Sequence, residues 1–326
     1  MPPATARGRL SRRPDPPAAD MIRPPGWCRI LSSGLLLGLT GCGGPGLTPL
    51  QVQYQQSEER ALRYHARGEL PQALNAFQDS LRWAELTDDR PARIAQALNV
   101  GRVAQTLGDE RLAEQGFQQA QRLAAVLGDH DSQLRAALGL AQLALHRRQF
   151  EVARAAFAQI LNTARRQPDP AAELAALNGL GLAQKGLGQL PAARQTLVEA
   201  ETLARSYGDR RLLASTLANQ GGLALQIGAV DRAMGYLEEA VMLDRQTENL
   251  PGLGHDLALL AQARQRRGES ERALELYRQA CAIARHTGQL DQAQRCDPVI
   301  ERLERESEVR LPQSAVKSVK RDGRSE

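Results

Sequence analysis

Residues 101–120 read GRVAQTLGDERLAEQGFQQA, and the spacing of the small and aromatic side chains in this segment recurs through the chain. Gly101 precedes Gly108 by seven residues, and Ala113 and Phe117 follow five and nine residues after Gly108. The alanine recurs every 40 residues, as Ala73, Ala113, Ala153, Ala193, Ala233 and Ala273. A fixed period over six units is the sequence signature of a repeat architecture.

Three more columns keep this register, and each has a physical role. The Gly108 column suits the end of a helix, where the chain turns through a left-handed conformation. It comprises Gly68, Gly108, Arg148, Gly188, Gly228 and Gly268. Small residues let two helices approach, and a larger side chain fills the space beside them. The small column is Ala61, Gly101, Ala141, Gly181, Gly221 and Ala261, and the large column is Phe77, Phe117, Phe157, Leu197, Leu237 and Tyr277. We therefore predict two helices in each unit.

This pattern resembles the tetratricopeptide repeat family, and its 40-residue period is similar to the long repeats of kinesin light chains and Leu-Gly-Asn repeat adaptors. The resemblance implies an all-α, right-handed helical solenoid of six helix-turn-helix repeats over residues 54–293, with a habit of binding proteins or peptides. Composition agrees, because aromatic residues are only 3% and good helix formers dominate. A solenoid must cover its last apolar face, so we expect a C-terminal capping helix at 294–309, with its start marked by Pro298. Arg148 departs from the glycine column.

The N-terminal segment has the pattern of an export signal. A short cationic region follows Met21, and residues 30–39 are mostly apolar but too few to span a bilayer as a helix. The sequence Leu-Thr-Gly-Cys ending at Cys42 resembles a bacterial lipoprotein signal, which implies cleavage before Cys42 and a lipid on that residue. We expect 1–41 to be the signal peptide, with Met21 as its true start, and 42–53 to be a flexible tether. An uncleaved anchor or a buried apolar turn are the alternatives.

The same resemblance bears on location and partners. Gly43 stands where an aspartate is the usual inner-membrane retention signal, which favours the outer membrane, with the protein facing the periplasm. Net charge is +4 for residues 1–41 and +3 for 310–326, so the body between them is close to neutral, at about −2. No basic stripe of the kind that binds phosphates is evident, and we expect no nucleic-acid partner. Residues 310–326 are predicted to form a basic disordered tail.

The sequence contains no strong motif for a catalytic, metal or cofactor site. The five histidines show no metal-ligand spacing, and the glycine-rich run 179–186 lacks the Gly-Lys-Ser/Thr of a phosphate loop. The sequence therefore predicts no catalytic residue, metal or cofactor. Two cysteines, Cys281 and Cys296, flank the end of the last repeat. They can form a disulfide in an oxidising compartment or remain two thiols, and the sequence leaves both open.

The concave groove of the solenoid is the predicted binding site. By resemblance to peptide-binding members of the family, six positions of each first helix face it. The candidate groove residues are Asn99, Arg102, Arg135, Gln142, His146, Asn178, Lys185, Asn219, His255, Gln262 and Arg266. Asparagine amides can hold an extended backbone, and Arg or Lys can pair with a carboxylate. We therefore expect Asn99, Asn178 and Asn219 to hold an extended, somewhat acidic segment.

Other interpretations stay open at this stage. The same asparagines can instead bond to their own helices, leaving the groove merely hydrated. Leu138, Leu145 and Leu225 fall on the same face, so a partner helix can dock there. The leading function is a membrane-tethered scaffold in the assembly of an envelope complex. The alternatives are a non-catalytic subunit, an enzyme with an unrecognised site, and a cytoplasmic repeat regulator whose leader has been misread.

Overall fold

The computed structural model describes residues 47–288 and 290–310, and every regular element in these ranges is an α-helix. The described helices are α1 (Pro49–Ala66), α2 (Leu70–Leu86), α3 (Arg90–Thr106), α4 (Glu110–Leu127), α5 (His130–His146), α6 (Phe150–Arg166), α7 (Pro170–Gly186), α8 (Leu190–Tyr207), α9 (Arg210–Gln226), α10 (Val230–Gln246), α11 (Leu250–Arg266), α12 (Ser270–His286) and α13 (Leu290–Arg310). Consecutive helices pack as pairs, so the predicted all-α solenoid of repeats is confirmed. None of the described helices is both long and apolar enough to cross a membrane.

The first helices of repeats two to six share one capping chemistry, which recurs every 40 residues, and α4 has it as well. In these helices the N-cap side chain accepts a hydrogen bond from the backbone N–H three residues later, which contributes about 1 kcal/mol per cap. The residues that do so are Asp89, Asp109, Asp129, Asp169, Asp209 and Asn249. Gly208 lies at φ 78°, in the left-handed region that closes the preceding helix. Arg148, the departure from the glycine column, adopts φ 58° and so keeps the same turn.

The large column fills the space that the small column leaves. Phe117 is buried, and its ring lies between Gly101 of its own repeat and Gly139 of the next. A Cβ atom would lie 2.8 Å from the ring at Gly101 and 2.6 Å at Gly139. A larger residue at either glycine would therefore have to displace the ring. The same contact recurs between Phe157 and Gly179.

Both ends of the repeat array differ from the prediction. Helix α1 begins at Pro49, inside the predicted tether, because Thr48 and Gln51 form a capping box and proline suits the first turn. Helix α13 begins at Leu290, so Pro298 lies inside the helix and does not start it. This start keeps the spacing of 20 residues between successive helix starts. Leu303 of α13 is fully buried. The signal peptide, Cys42 and residues 311–326 lie outside the described residues.

Candidate functional site

The first helix of each repeat lines the inner side of the solenoid. From α3 to α11, each odd-numbered helix contacts the next odd-numbered helix, whereas the described even-numbered helices make no such backbone approach to one another. The odd helices are therefore the more closely spaced set and form the concave side. We call their exposed surface the groove.

A closed polar network lies under the groove in the first two repeats. The Gln96 amide donates to the Tyr54 hydroxyl at 3.0 Å and to a Glu58 carboxylate oxygen at 3.0 Å. Tyr54 also donates to Glu58 at 3.2 Å, and the Asn99 amide donates to Gln96 at 3.4 Å. Burial and the adjacent Glu58 charge raise the pKa of Tyr54. These polar groups are satisfied by one another.

Asn99 is therefore not a groove-surface residue. It is fully buried, and its amide belongs to the network below the surface. Asn178 is also buried: its amide donates to the Thr216 hydroxyl at 2.9 Å, and its carbonyl oxygen accepts from the Asn219 amide at 3.2 Å. Asn99 thus bonds within its own helix, as the alternative interpretation expected, whereas Asn178 and Asn219 bond between the neighbouring first helices α7 and α9, which neither interpretation described. Asn219 is only half-buried, so it borders the groove.

The centre of the groove holds two basic side chains, Lys185 and His255. Lys185 of α7 reaches across to α9, where a Cβ on Gly222 would lie 3.3 Å from the Lys185 Nζ. Desolvation by the groove walls lowers the pKa of Lys185. Desolvation also lowers the pKa of His255 on α11, and the nearby Lys185 charge lowers it further. Solvent still reaches His255 from the groove mouth, since its side chain is exposed.

The other predicted groove residues lie on the first helices of their repeats and differ in exposure. Those exposed are Arg135, Gln142, His146 and Arg266, and those half-buried are Arg102 and Gln262. Arg266 donates to the backbone carbonyl of Leu225, so its guanidinium lies over the end of α9. Leu138 and Leu145 are half-buried on this face, whereas Leu225 is buried and offers little to a docking helix.

The groove carries charge of one sign over most of its length. None of the residues at the six groove positions of repeats two to six is Asp or Glu. The same positions provide Arg102, Arg135, His146, Lys185, His255 and Arg266. The two acids at these positions, Glu58 and Glu59, are in the first repeat, and Glu58 belongs to the closed network. The concave face is therefore cationic although the repeat body is near neutral.

Sequence reasoning missed a buried pair of carboxylates between the fifth and sixth repeats. Asp244 and Asp256 are each 2% exposed, and Asp256 Oδ2 has no hydrogen-bond partner among the described residues. Burial and the neighbouring Asp244 raise the pKa of Asp256 to about 8. Burial also raises the pKa of Asp244, while a hydrogen bond from Asn249 at 3.0 Å opposes the shift. The repeat period did not indicate this pair, because the other repeats place Gln, Ala or Thr at the position of Asp256.

Apolar clefts lie on the outer side, between even-numbered helices. At the junction of repeats four and five, Arg205 bridges to Glu239 at 3.0 Å. The equivalent residues at the next junction are Arg245 and Gln279, which cannot form an ion pair. A cleft of about 630 Å³ opens there, with Leu257 and Leu260 on its floor. Over the described residues, no cluster of three His, Cys, Asp or Glu side chains could hold a metal ion.

The two C-terminal cysteines meet across the end of the last repeat. Cys281 of α12 and Cys296 of α13 form a disulfide, with their Cα atoms 5.7 Å apart. Both residues are buried. The bond ties the capping helix to the sixth repeat.

Comparison with known proteins places this architecture among helical-repeat solenoids. No family model matches the chain, and no curated protein matches it in sequence. Solved structures do match. A Rap protein complexed with competence and sporulation factor is 13% identical, with a TM-score of 0.60 over 80% of this chain and 77% of that one.

Two further solved structures share the fold. The Rap conjugation gene regulator of plasmid pLS20, in complex with the Phr* peptide, is 13% identical and has a TM-score of 0.61, covering 78% of each chain. A signal-transduction ATPase with a tetratricopeptide repeat sensor, from Pyrococcus horikoshii, is 15% identical and has a TM-score of 0.54, covering 78% of this chain and 43% of that one. Likeness at this identity establishes the tetratricopeptide-like fold, and function has to be argued from the groove.

Proposed function

We propose that this protein is a scaffold that binds an extended segment of a partner protein in the groove and does not itself catalyse a reaction. The observation that carries the proposal is the cationic groove, which runs through five repeats without a carboxylate at its lining positions. A surface of this kind attracts an acidic polypeptide segment and repels a basic one. One structural neighbour is a complex with the Phr* peptide and another is a complex with competence and sporulation factor, which supports a binding use of the fold here.

The second part of the proposal is a membrane tether. The lipoprotein-like sequence that ends at Cys42 would anchor the scaffold to the outer membrane, facing the periplasm, and make it available to an envelope complex. A disulfide between Cys281 and Cys296 is consistent with an oxidising compartment. Palmitate labelling of the full chain tests the tether: we expect label on the wild type and none on Cys42→Ala. An unlabelled wild type would reject the anchor and favour the cytoplasmic regulator.

Site-specific cross-linking tests the groove. A photo-cross-linking amino acid at Ser215, which is exposed in the groove, is expected to capture one partner in intact cells. The matched control is Val198, 46% exposed on the outer side of α8, where the same probe should not capture that partner. Capture from Val198 and not from Ser215 would move the interaction to the convex side and overturn the proposal.

The competing interpretation is an enzyme or enzyme subunit with an unrecognised site. It predicts a tightly bound cofactor or metal in the purified full chain. Mass spectrometry under native conditions and metal analysis are the measurements. A stoichiometric bound group would replace the scaffold proposal.

A further inference from the structure

The centre of the groove differs from the rest of the molecule in the balance of its charges. Elsewhere, several arginines pair with acids, as Arg205 does with Glu201 at 2.9 Å. Within the described residues, Lys185 and His255 have no hydrogen bond or ion pair to a carboxylate, and each is desolvated by the groove walls. An anion placed between these two side chains would interact with both and would favour the charged form of each.

The surroundings leave room for an anion between them. Gly222 lies on α9, between the helices that carry the two cations, and its missing side chain keeps the space beside Lys185 Nζ open. The other repeats have a larger side chain at this position, which would occupy that space: Leu62, Arg102, Gln142, Leu182 and Gln262. The half-buried Asn219 borders the same part of the groove.

We propose that Lys185 and His255 bind a carboxylate of the partner segment over Gly222. This inference rests on the proposed function and names the group that fixes the segment in the groove. The carboxylate can accept hydrogen bonds from the Lys185 ammonium and the His255 imidazolium, and it replaces the repulsion between two cations by two attractions. The carboxylate can come from an Asp or Glu side chain or from the C-terminus of the segment.

Binding is coupled to protonation of His255, because only the imidazolium is charged. Lys185 from α7 is the charged group that faces His255 across the groove; α9 contributes the neutral Asn219 and Gly222 there. On α11 itself, Asp256 follows His255 but is buried and interacts with Asp244 of α10. A bound carboxylate stabilises the imidazolium and raises the pKa of His255. Affinity is therefore expected to rise as pH falls from the raised pKa of His255 in the complex to its pKa in the unbound protein, which lies below the ordinary value of 6.5, and to level off below that.

The test uses three short peptides with the full chain: a Glu-containing peptide with blocked ends, its Gln counterpart with blocked ends, and the Gln peptide with a free C-terminal carboxylate. The readout is the pH titration of the His255 imidazole by NMR, assigned with His255→Gln. Peptides bearing a carboxylate should raise the pKa of His255, whereas the blocked Gln peptide should not. The Glu and free-carboxylate arms distinguish a side-chain anion from a chain terminus.

Lys185→Gln supplies the second arm. It should raise the pKa of His255 in the unbound protein and weaken binding of the carboxylate peptide by about tenfold or more. The control Arg194→Gln, which removes an exposed cation from the outer helix α8, should change affinity by less than about twofold.

The failures are distinguishable. If all three peptides bind alike and Lys185→Gln leaves His255 unaltered, the carboxylate site is overturned, while capture from Ser215 can still hold. If the probe at Ser215 captures no partner in a protein that is unchanged elsewhere, the proposed function itself is overturned.

Discussion

The first three repeats and the last three use the same pair of helices but pack them differently. In the first half, the large column is Phe77, Phe117 and Phe157, and the polar groups under the groove satisfy one another. In the second half, the column changes to Leu197, Leu237 and Tyr277. In the second half, Lys185 and His255 have no carboxylate partner among the described residues, and the buried Asp256 Oδ2 has no hydrogen-bond partner there. Two buried atoms of the first half, Ser80 Oγ and Arg93 Nε, also lack such a partner. The halves therefore differ in kind: the second half holds the groups that a carboxylate ligand or a proton can satisfy.

The largest expected difference concerns the aromatic column. Phe117→Ala should lower the free energy of unfolding by about 3–5 kcal/mol, because the flanking Gly101 and Gly139 have no side chains to fill the cavity. Leu237→Ala in the second half should cost about 1 kcal/mol less, since fewer buried atoms are lost. Urea unfolding followed by helicity gives both values. The control, Val152→Ala, is 60% exposed and should change stability by less than about 0.5 kcal/mol. Equal losses at Phe117 and Leu237 would contradict the comparison.

The second half also differs from the first in its disulfide, which ties the capping helix to the sixth repeat. Replacing Cys281 and Cys296 together by Ala should lower stability by about 2–3 kcal/mol, given their separation of 15 residues. Hydrogen exchange should show faster opening in α12 and α13 and little change in α1–α6. Mass analysis of the mature protein without reductant is the direct check. Two unmodified thiols would disprove the bond and with it the expected loss.

The buried acid makes the second half sensitive to pH. The pKa of Asp256 is about 8 in the folded protein against 3.8 ordinarily, so between these values the folded state keeps a proton that the unfolded chain releases. Stability should therefore fall as pH rises from about 4 to about 8, by about 1 kcal/mol for each pH unit. Asp256→Asn should remove most of this slope, and Asp244, whose pKa is also raised, accounts for the remainder. Identical slopes in both proteins would exclude Asp256 as the source.

The repeat period predicted the fold because each column had a packing role that recurs six times. Gly108 and its equivalents marked turns, and Phe117 and its equivalents marked the core. The period could not predict features that occur once. The Asp244 and Asp256 pair, the gap at Gly222 and the capping box at Thr48 depend on single residues and on which helix faces which. Asn99 illustrates the limit: its position in the helix was predicted to face the groove, yet Gln96 holds its amide below the surface.

A smaller loss of stability is expected for the polar network under the groove of the first two repeats. Gln96→Leu keeps the volume but removes the amide that donates to Tyr54 and Glu58. The half-buried Tyr54 and Glu58 oxygens then lose a donor, which should cost about 1–3 kcal/mol. Thermal unfolding of the variant at pH 7 is the measurement. A variant as stable as the wild type would show that water satisfies these groups and that the network is not closed.

The smallest effect should have the opposite sign and occurs at the centre of the groove. In the unbound protein, Lys185→Gln removes a desolvated cation and its repulsion on His255, so stability should stay unchanged or rise by up to about 1 kcal/mol. Because the repulsion requires a charged imidazole, the gain should be larger at pH 5 than at pH 8. Unfolding curves at the two pH values, with Arg194→Gln as the exposed control, measure it. A loss greater than about 1 kcal/mol would mean that Lys185 stabilises the solenoid itself. Lys185 would then not be a group of the second half that a ligand has to satisfy.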